Sequence, residues 1–249
     1  MFSQIRIFDS HEELSVSAAD EIVRLVKEGI VTKNKYNLGL AAGSSPKKTY
    51  EHIIQHLSGE ALDLTNLHTF NLDEYYPIKR EDPHSFYQEM VKVFWQPLHM
   101  VNTTFDISHG FILNGEATEA DGECKQYEHL IKKSGGIDLQ IVGLGVNGHI
   151  AFNEPGSAAD SRTRKIEIAE GTRQANMKSF AGDEANMPQF GLTMGIGTIL
   201  ESKKIFLIVS GESKRPIYEK LLQIPEPSPS IPASFLLQHP DVTVFTELR

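Results

Sequence analysis

"IDLQIVGLGVNGHIAFNEPG", residues 137–156, decides how the rest of the chain is read. Its first part, 137–144, is a short apolar run that suits a strand buried on both faces. Its glycines, Gly143, Gly145 and Gly148, then fit the G-x-G-x-x-G of dinucleotide-binding folds. That fingerprint needs a helix starting within the glycines, so that a pyrophosphate can sit on its N-terminus. Here Pro155 and Gly156 break any helix almost at once. An acidic ribose ligand is due about 20 residues on, after a helix and a strand. Glu167 stands near that distance, but no helical pattern separates it from the glycines. The nucleotide reading is therefore set aside. What remains is a loosened backbone presenting Asn147, His149, Asn153 and Glu154. On an irregular loop His149 and Glu154 can converge, the carboxylate orienting the imidazole as a proton relay. A purely structural His149 is the plainer alternative.

Outward from this stretch, strand and helix patterns alternate. Strands are expected at 36–42, 67–72, 137–144, 203–210 and 242–247. Helices are expected at 46–57, 85–95, 115–133 and 214–223, Gly122 being a weak point of the third. Pro46 is placed in a first helical turn, where its missing N–H does no harm. Near the start, Ser10 and Glu13 form an S-x-x-E capping box before apolar Leu14, Ala18, Ile22, Leu25 and Val26. The four-proline run 223–234 reads as a loop, not a domain boundary. Helices between unbroken apolar strands predict an α/β fold, a mainly parallel sheet covered on both faces, and one domain over 1–249.

In such sheets ligands bind beyond the C-terminal strand ends, so the residues there carry the functional reading. After the first strand, "AAGSSP" (41–46) offers backbone N–H groups and two hydroxyls at a helix start, which suits an anion. An ordinary turn with a serine cap would look the same, and the G-K-[ST] of a Walker loop is absent. After the second, Asp73 and Glu74 are adjacent carboxylates; one in a low-dielectric pocket can become a general base, and a helix-free acidic turn in solvent is the alternative. On an extended segment they cannot both enter one pocket. After the fourth, "SGESK" (210–214) ends in Lys214, which opposes the helix dipole unless it serves an anion; a solvated lysine is the alternative. Arg162, Arg164 and Arg173 are further cations without an evident helical face. Gathered at one end of a sheet, these groups suit an enzyme of a small phosphorylated metabolite.

Composition restricts the other classes. A net charge of -9 leaves no positive field for nucleic acid. No apolar run approaches the roughly 18 residues of a membrane span, and no secretory leader pattern is read at Met1. Cys124 is the single cysteine, which excludes an intrachain disulfide framework and fits a cytoplasmic protein. No zinc motif such as H-E-x-x-H or H-x-E with P-C-x-x-C is present, so neither metal nor other cofactor is expected.

Taken in order, "LGLAAGSSPKKTY", "FNLDEYYP", "GLGVNGHIAFNEPGS", "SRTR", "TRQAN", "LTMGIGTIL" and "SGESK" resemble the glucosamine-6-phosphate deaminases. The resemblance runs from about residue 36 to residue 240, and "GHIAFNEP" after "LDEY" is its most specific part. It implies a three-layer αβα Rossmann-like fold without nucleotide. It also implies conversion of glucosamine 6-phosphate and water to fructose 6-phosphate and ammonia. By the same resemblance Asp73 moves the proton between C2 and C1, His149 opens the sugar ring and Glu154 partners it. Gly43, Ser44, Ser45, Arg173 and Lys214 match its substrate and phosphate contacts. Asn147 stands where hexameric, regulated members carry aspartate, so the relay has one negative charge fewer. Of the allosteric positions Arg164 matches, but Ile166 and Glu167 replace lysine and threonine. Neither activation by N-acetylglucosamine 6-phosphate nor hexamer assembly is then expected, and the chain is a monomer or another homo-oligomer. Competing readings are a galactosamine-6-phosphate deaminase, a 6-phosphogluconolactonase, and a non-enzymatic sugar-phosphate sensor of a transcriptional regulator. Lactonase relatives lack "GHIAFNEP", and the chain has no basic N-terminal helix pair of a regulator.

Overall fold

In the computed structural model, which describes residues 2–180 and 187–249, the N-terminal stretch forms strand β1 (Gln4–Ile7) and helix α1 (His11–Lys33). Ser10 caps α1 by accepting the Glu13 N–H at 3.2 Å. The Glu13 carboxylate returns to the N–H of Asp9, not of Ser10, one residue short of the reciprocal box. Leu14, Ala18, Ile22 and Val26 turn inward as expected, while Leu25 is only half-buried. Asn34, in the left-handed region at φ 53°, ends the helix.

Strands β2 (Tyr36–Leu40) and β3 (Leu67–Asn71) flank helix α2 (Lys47–Leu57). Strand β5 (Gly110–Phe111), helix α5 (Ala120–Lys133), β6 (Leu139–Gly143), β9 (Ile205–Val209), helix α8 (Arg215–Gln223) and β10 (Val242–Thr246) build the remainder of the main layer. Seven strands pair in the order β1-β10-β9-β6-β2-β3-β5, every pair parallel. Successive side chains of one strand go to opposite faces. Phe206 and Ile208 of β9 pack with α1 and α2, whereas Ile205, Leu207 and Val209 pack with α5 and α8. Such a strand must be apolar at every position, which is why the sequence shows runs and not alternation.

From β2 the chain steps to β3 and β5, then returns to place β6 on the other side of β2. Connections therefore diverge between β2 and β6, and this divergence opens a crevice beyond their C-terminal ends.

A second, antiparallel sheet covers that crevice: β4 (Asp73–Tyr76), β8 (Phe190–Thr193) and β7 (Arg164–Glu167), in the order β4-β8-β7. The sequence reading missed it. Helix α6 (Glu170–Asn176) follows β7, and α7 (Ile196–Leu200) follows β8. Tyr75, Ile78, Phe152, Ile168, Phe180 and Met187 form a small core beneath this sheet.

Other boundaries also moved. The helix expected at 85–95 is α3 (Phe86–Met90), continued through a π turn at Val91–Trp95 into α4 (Gln96–Val101). The helix expected at 115–133 begins at Ala120, so Gly122 lies in its first turn, where a glycine weakens little. Pro46 is the N-cap of α2, one residue outside it. The proline-rich loop is shorter than expected, because Pro232–Gln238 winds into a 3-10 helix.

Candidate active site

All four unusual strand ends open on one cleft of about 350 Å³ at the β2/β6 crevice. Residues 41–47, Asp73, Gly143 to Gly145, His149 and Lys214 line it.

The 41–46 loop is tied down at its base by Tyr50 of α2, whose hydroxyl accepts the Ala41 N–H at 3.0 Å and donates to the Ala41 carbonyl at 2.8 Å. Gly43 has φ 93°, a conformation that L side chains resist, so glycine is required for geometry here. Ser44 and Ser45 lie on the cleft wall, in keeping with an anion site at a helix start.

Asp73 opens β4 opposite Thr193 and is 6% exposed. Burial pushes its carboxyl up to about 8, and the charges of Glu74 and Glu89 push in the same direction. Glu74 points to the other side of the strand, as alternation requires, and lines a separate cavity. There it accepts N–H groups from Tyr75, Phe86 and Tyr87 at 2.8–2.9 Å, fastening β4 to the start of α3. The two adjacent carboxylates thus divide: Asp73 faces the cleft, and Glu74 braces it.

The 143–149 glycines close a turn instead of starting a helix. Gly145 N–H donates to the His149 carbonyl at 2.9 Å, and Gly148 N–H to the Gly145 carbonyl at 3.0 Å. A Cβ on Gly145 would stand 2.3 Å from His149 Nε2, so the imidazole lies directly against this glycine. Behind the ring, His149 Nδ1 is 2.7 Å from Asn147 Oδ1, and Asn147 Nδ2 donates to Glu154 Oε2 at 2.6 Å. Glu154 Oε1 is 3.5 Å from Nδ1 and also accepts the Thr172 hydroxyl. An amide carbonyl only accepts, so Nδ1 carries the proton and Nε2 offers a lone pair to the cleft. Burial lowers the His149 pKa, with Glu154 opposing and Lys214 reinforcing, which favours this neutral form. Asn147 does more than remove a charge. It accepts from histidine and donates to Glu154, where an aspartate would face Glu154 with acceptor against acceptor.

Lys214, at the N-cap of α8, also lines the cleft and pairs with no carboxylate among the described residues. Burial lowers its pKa. Arg173 lies on α6 with its guanidinium 3.5 Å from Glu170, and Thr172 and Asn176 of the same helix, one turn apart, line the wall. Arg164 is also away from the cleft, donating to Asn153 Oδ1 at 2.8 Å and to Ser157. Asn153 in turn holds the Ile150 and Met194 carbonyls and is part of the scaffold.

The sequence reading did not single out Lys47, Phe86, Glu89, Thr172 or Asn176, all of which line the cleft. Phe86 and Glu89 are three apart on one helix, a spacing that puts them on one face. Among the described residues no three His, Cys, Asp or Glu side chains converge as a metal-ligand set.

The family model described as glucosamine-6-phosphate isomerases/6-phosphogluconolactonase matches residues 9–245. The chain belongs to that family. Within it, the chain is 42% identical over 241 residues to a glucosamine-6-phosphate deaminase of Rhodopirellula baltica, covering 96% of this chain and 91% of that one. It is 39% identical over 248 residues to glucosamine-6-phosphate deaminase 2 of Bacillus subtilis, covering 99% and 95%. A solved monomeric glucosamine-6-phosphate deaminase superposes with a TM-score of 0.90 at 40% identity, over 98% of this chain and 96% of that one. A 6-phosphogluconolactonase of Neisseria gonorrhoeae superposes at 0.73 but with 17% identity, covering 99% of each chain, a likeness of fold alone. Family membership thus includes both isomerase-type and lactonase-type members, and the sequence distances separate them.

Proposed function

We propose that this protein is a glucosamine-6-phosphate deaminase, converting glucosamine 6-phosphate and water to fructose 6-phosphate and ammonia. The observation that carries the reading is one cleft lined by a buried, proton-holding Asp73, by the free Nε2 of a back-braced His149, and by the 43–45 loop with Lys214. The deaminase relatives, at 39% and 42% identity over nearly the whole chain, support it.

In this reading the phosphate sits against Ser44, Ser45 and the Lys214 ammonium, which the absence of a carboxylate partner leaves available. His149 Nε2 takes the proton of the C1 hydroxyl and returns one to the ring oxygen, so that the ring opens with no net change on the histidine. Glu154 and Asn147 hold the imidazole and stabilise its transient charge. Asp73 then removes the C2 proton and delivers it to C1. The aldose amine becomes a C2 iminium, and water replaces nitrogen there, leaving the ketose and ammonia. Tyr75, Phe86 and Phe152, with neighbouring ring centroids 4.6–5.9 Å apart, form an apolar wall that limits water around Asp73.

In this reading the whole chain is one catalytic domain, and we place it in the cytoplasm. No described helix is long and apolar enough to cross a membrane. The deciding experiment is an ammonia-release assay with EDTA present, on the glucosamine and galactosamine 6-phosphates side by side. Release from the glucosamine sugar well above its epimer is expected. Absence of ammonia from both would defeat the enzymatic reading, and preference for the epimer would reassign the substrate.

A further inference from the structure

The anion loop is not empty-handed. The Gly43 N–H, fixed in direction by its left-handed φ, donates to Glu89 Oε1 at 2.9 Å. The same oxygen lies 3.2 Å from Lys47 Nζ. Glu89 reaches this position from α3 and keeps only 22% of its side chain exposed. A carboxylate oxygen thus sits on two of the donors nearest the loop that the phosphate has to use. Facing the same space are Lys214, Lys47 and the carboxyl of Asp73, which Glu89 itself helps to keep protonated.

From this geometry we infer that Glu89 is an internal stand-in for the substrate phosphate: it holds the Gly43 N–H and the Lys47 ammonium and must release both when the phosphate docks. Glu89 therefore sets the affinity of the phosphate end. A phosphate dianion and a carboxylate cannot share one N–H, and like charges at that distance repel. The carboxylate satisfies an N–H and an ammonium that would otherwise be partly desolvated without a partner. The inference rests on reading the 43–46 loop as a phosphate site, but not on the chemistry at C1 and C2.

The test is the binding of inorganic phosphate by calorimetry, wild type against Glu89→Gln. Release of a charge-assisted contact to the ligand corresponds to about tenfold tighter binding in the variant. The KM for glucosamine 6-phosphate should fall by a similar factor. Unchanged or weaker phosphate binding would overturn the inference and make Glu89 a residue that merely positions the loop. Lys47→Met gives the second reading. It should weaken phosphate more in the Glu89→Gln background than in wild type, where Lys47 is already engaged; equal effects would count against the stand-in. Glu89→Gln removes the charge but keeps an acceptor; should it fold poorly, Glu89→Ala removes the acceptor as well, and tightening at least as large is expected. A crystal structure of the wild-type protein soaked in phosphate settles it without a variant, since Glu89 still on the Gly43 N–H beside bound phosphate would end the proposal. Because phosphate binding is measured without turnover, a protein that binds phosphate but releases no ammonia defeats the deaminase reading alone. Conversely, ammonia release with an unmoved phosphate affinity defeats this inference alone.

Discussion

Asp73 is held towards its protonated form, its carboxyl pushed up to about 8, because burial and two neighbouring carboxylates oppose ionisation. As a base it must first lose that proton, so kcat/KM, which reports the free enzyme, should rise through about pH 8. The kcat profile should rise at lower pH, since a bound ammonium favours the carboxylate. Superimposable profiles would show that another group sets the limb. The same shift acts on stability with a definite sign. A carboxyl raised from 3.8 to about 8 keeps a proton in the native state that the unfolded chain has released. Stability from this group is therefore present below about pH 4 and is lost as pH rises through about 8. Asp73→Asn should abolish turnover, by about a thousandfold or more, yet raise Tm at pH 8.5 by about 2–4 °C. A variant near the wild-type rate would remove Asp73 from the chemistry. Asn147→Asp tests the other side of the cleft. The added charge should raise the His149 pKa in an NMR titration; a fall, or no movement, would mean that the Asn147 contact does not govern the ring.

At the scale of elements, the turn after β6 shows what the sequence could convey. Pro155 and Gly156 ruled out a helix, and the turn is closed by hydrogen bonds within 145–149. The role of Gly145 was not readable, because its neighbour is a ring folded back from four residues on. Gly145→Ala should displace the imidazole and lower kcat/KM by about a hundredfold while Tm changes little; full activity would mean that the ring has room. Most strands of the parallel layer were legible from their apolar runs. The small antiparallel sheet was not, since β4 begins with two carboxylates and β7 reads "RKIE". Both belong to a cover over a crevice, where polar residues are wanted and no periodic signal survives. Arg173 entered through the resemblance. Thr172 and Asn176, its neighbours on α6, also reach the wall, and their phase was invisible while α6 itself was unassigned.

For the whole molecule, the four strand-end loops of the described chain meet in one cleft, and the structural relative with a TM-score of 0.90 is a monomeric deaminase. Arg164 is engaged with Asn153 and Ser157, while Ile166 and Glu167 follow it on β7. We therefore expect hyperbolic rate curves and no activation by N-acetylglucosamine 6-phosphate; a sigmoidal curve abolished by that compound would reverse this. The strand order carries a different consequence, for synthesis. β2, β3 and β6, which hold three of the four site loops, are all translated by Gly143, and His149 follows six residues later. β1 is made before any of these, yet among the described residues its only strand partner is β10, paired through Gln4 with Thr243 and Ile7 with Thr246. Strand β1 must wait, unpaired, until β10 has been made, and contacts so distant in sequence form slowly. A nascent chain can thus assemble most of its catalytic wall early while its first strand stays exposed, and a truncation before Val242 would leave that strand without a partner and β9 as a bare edge.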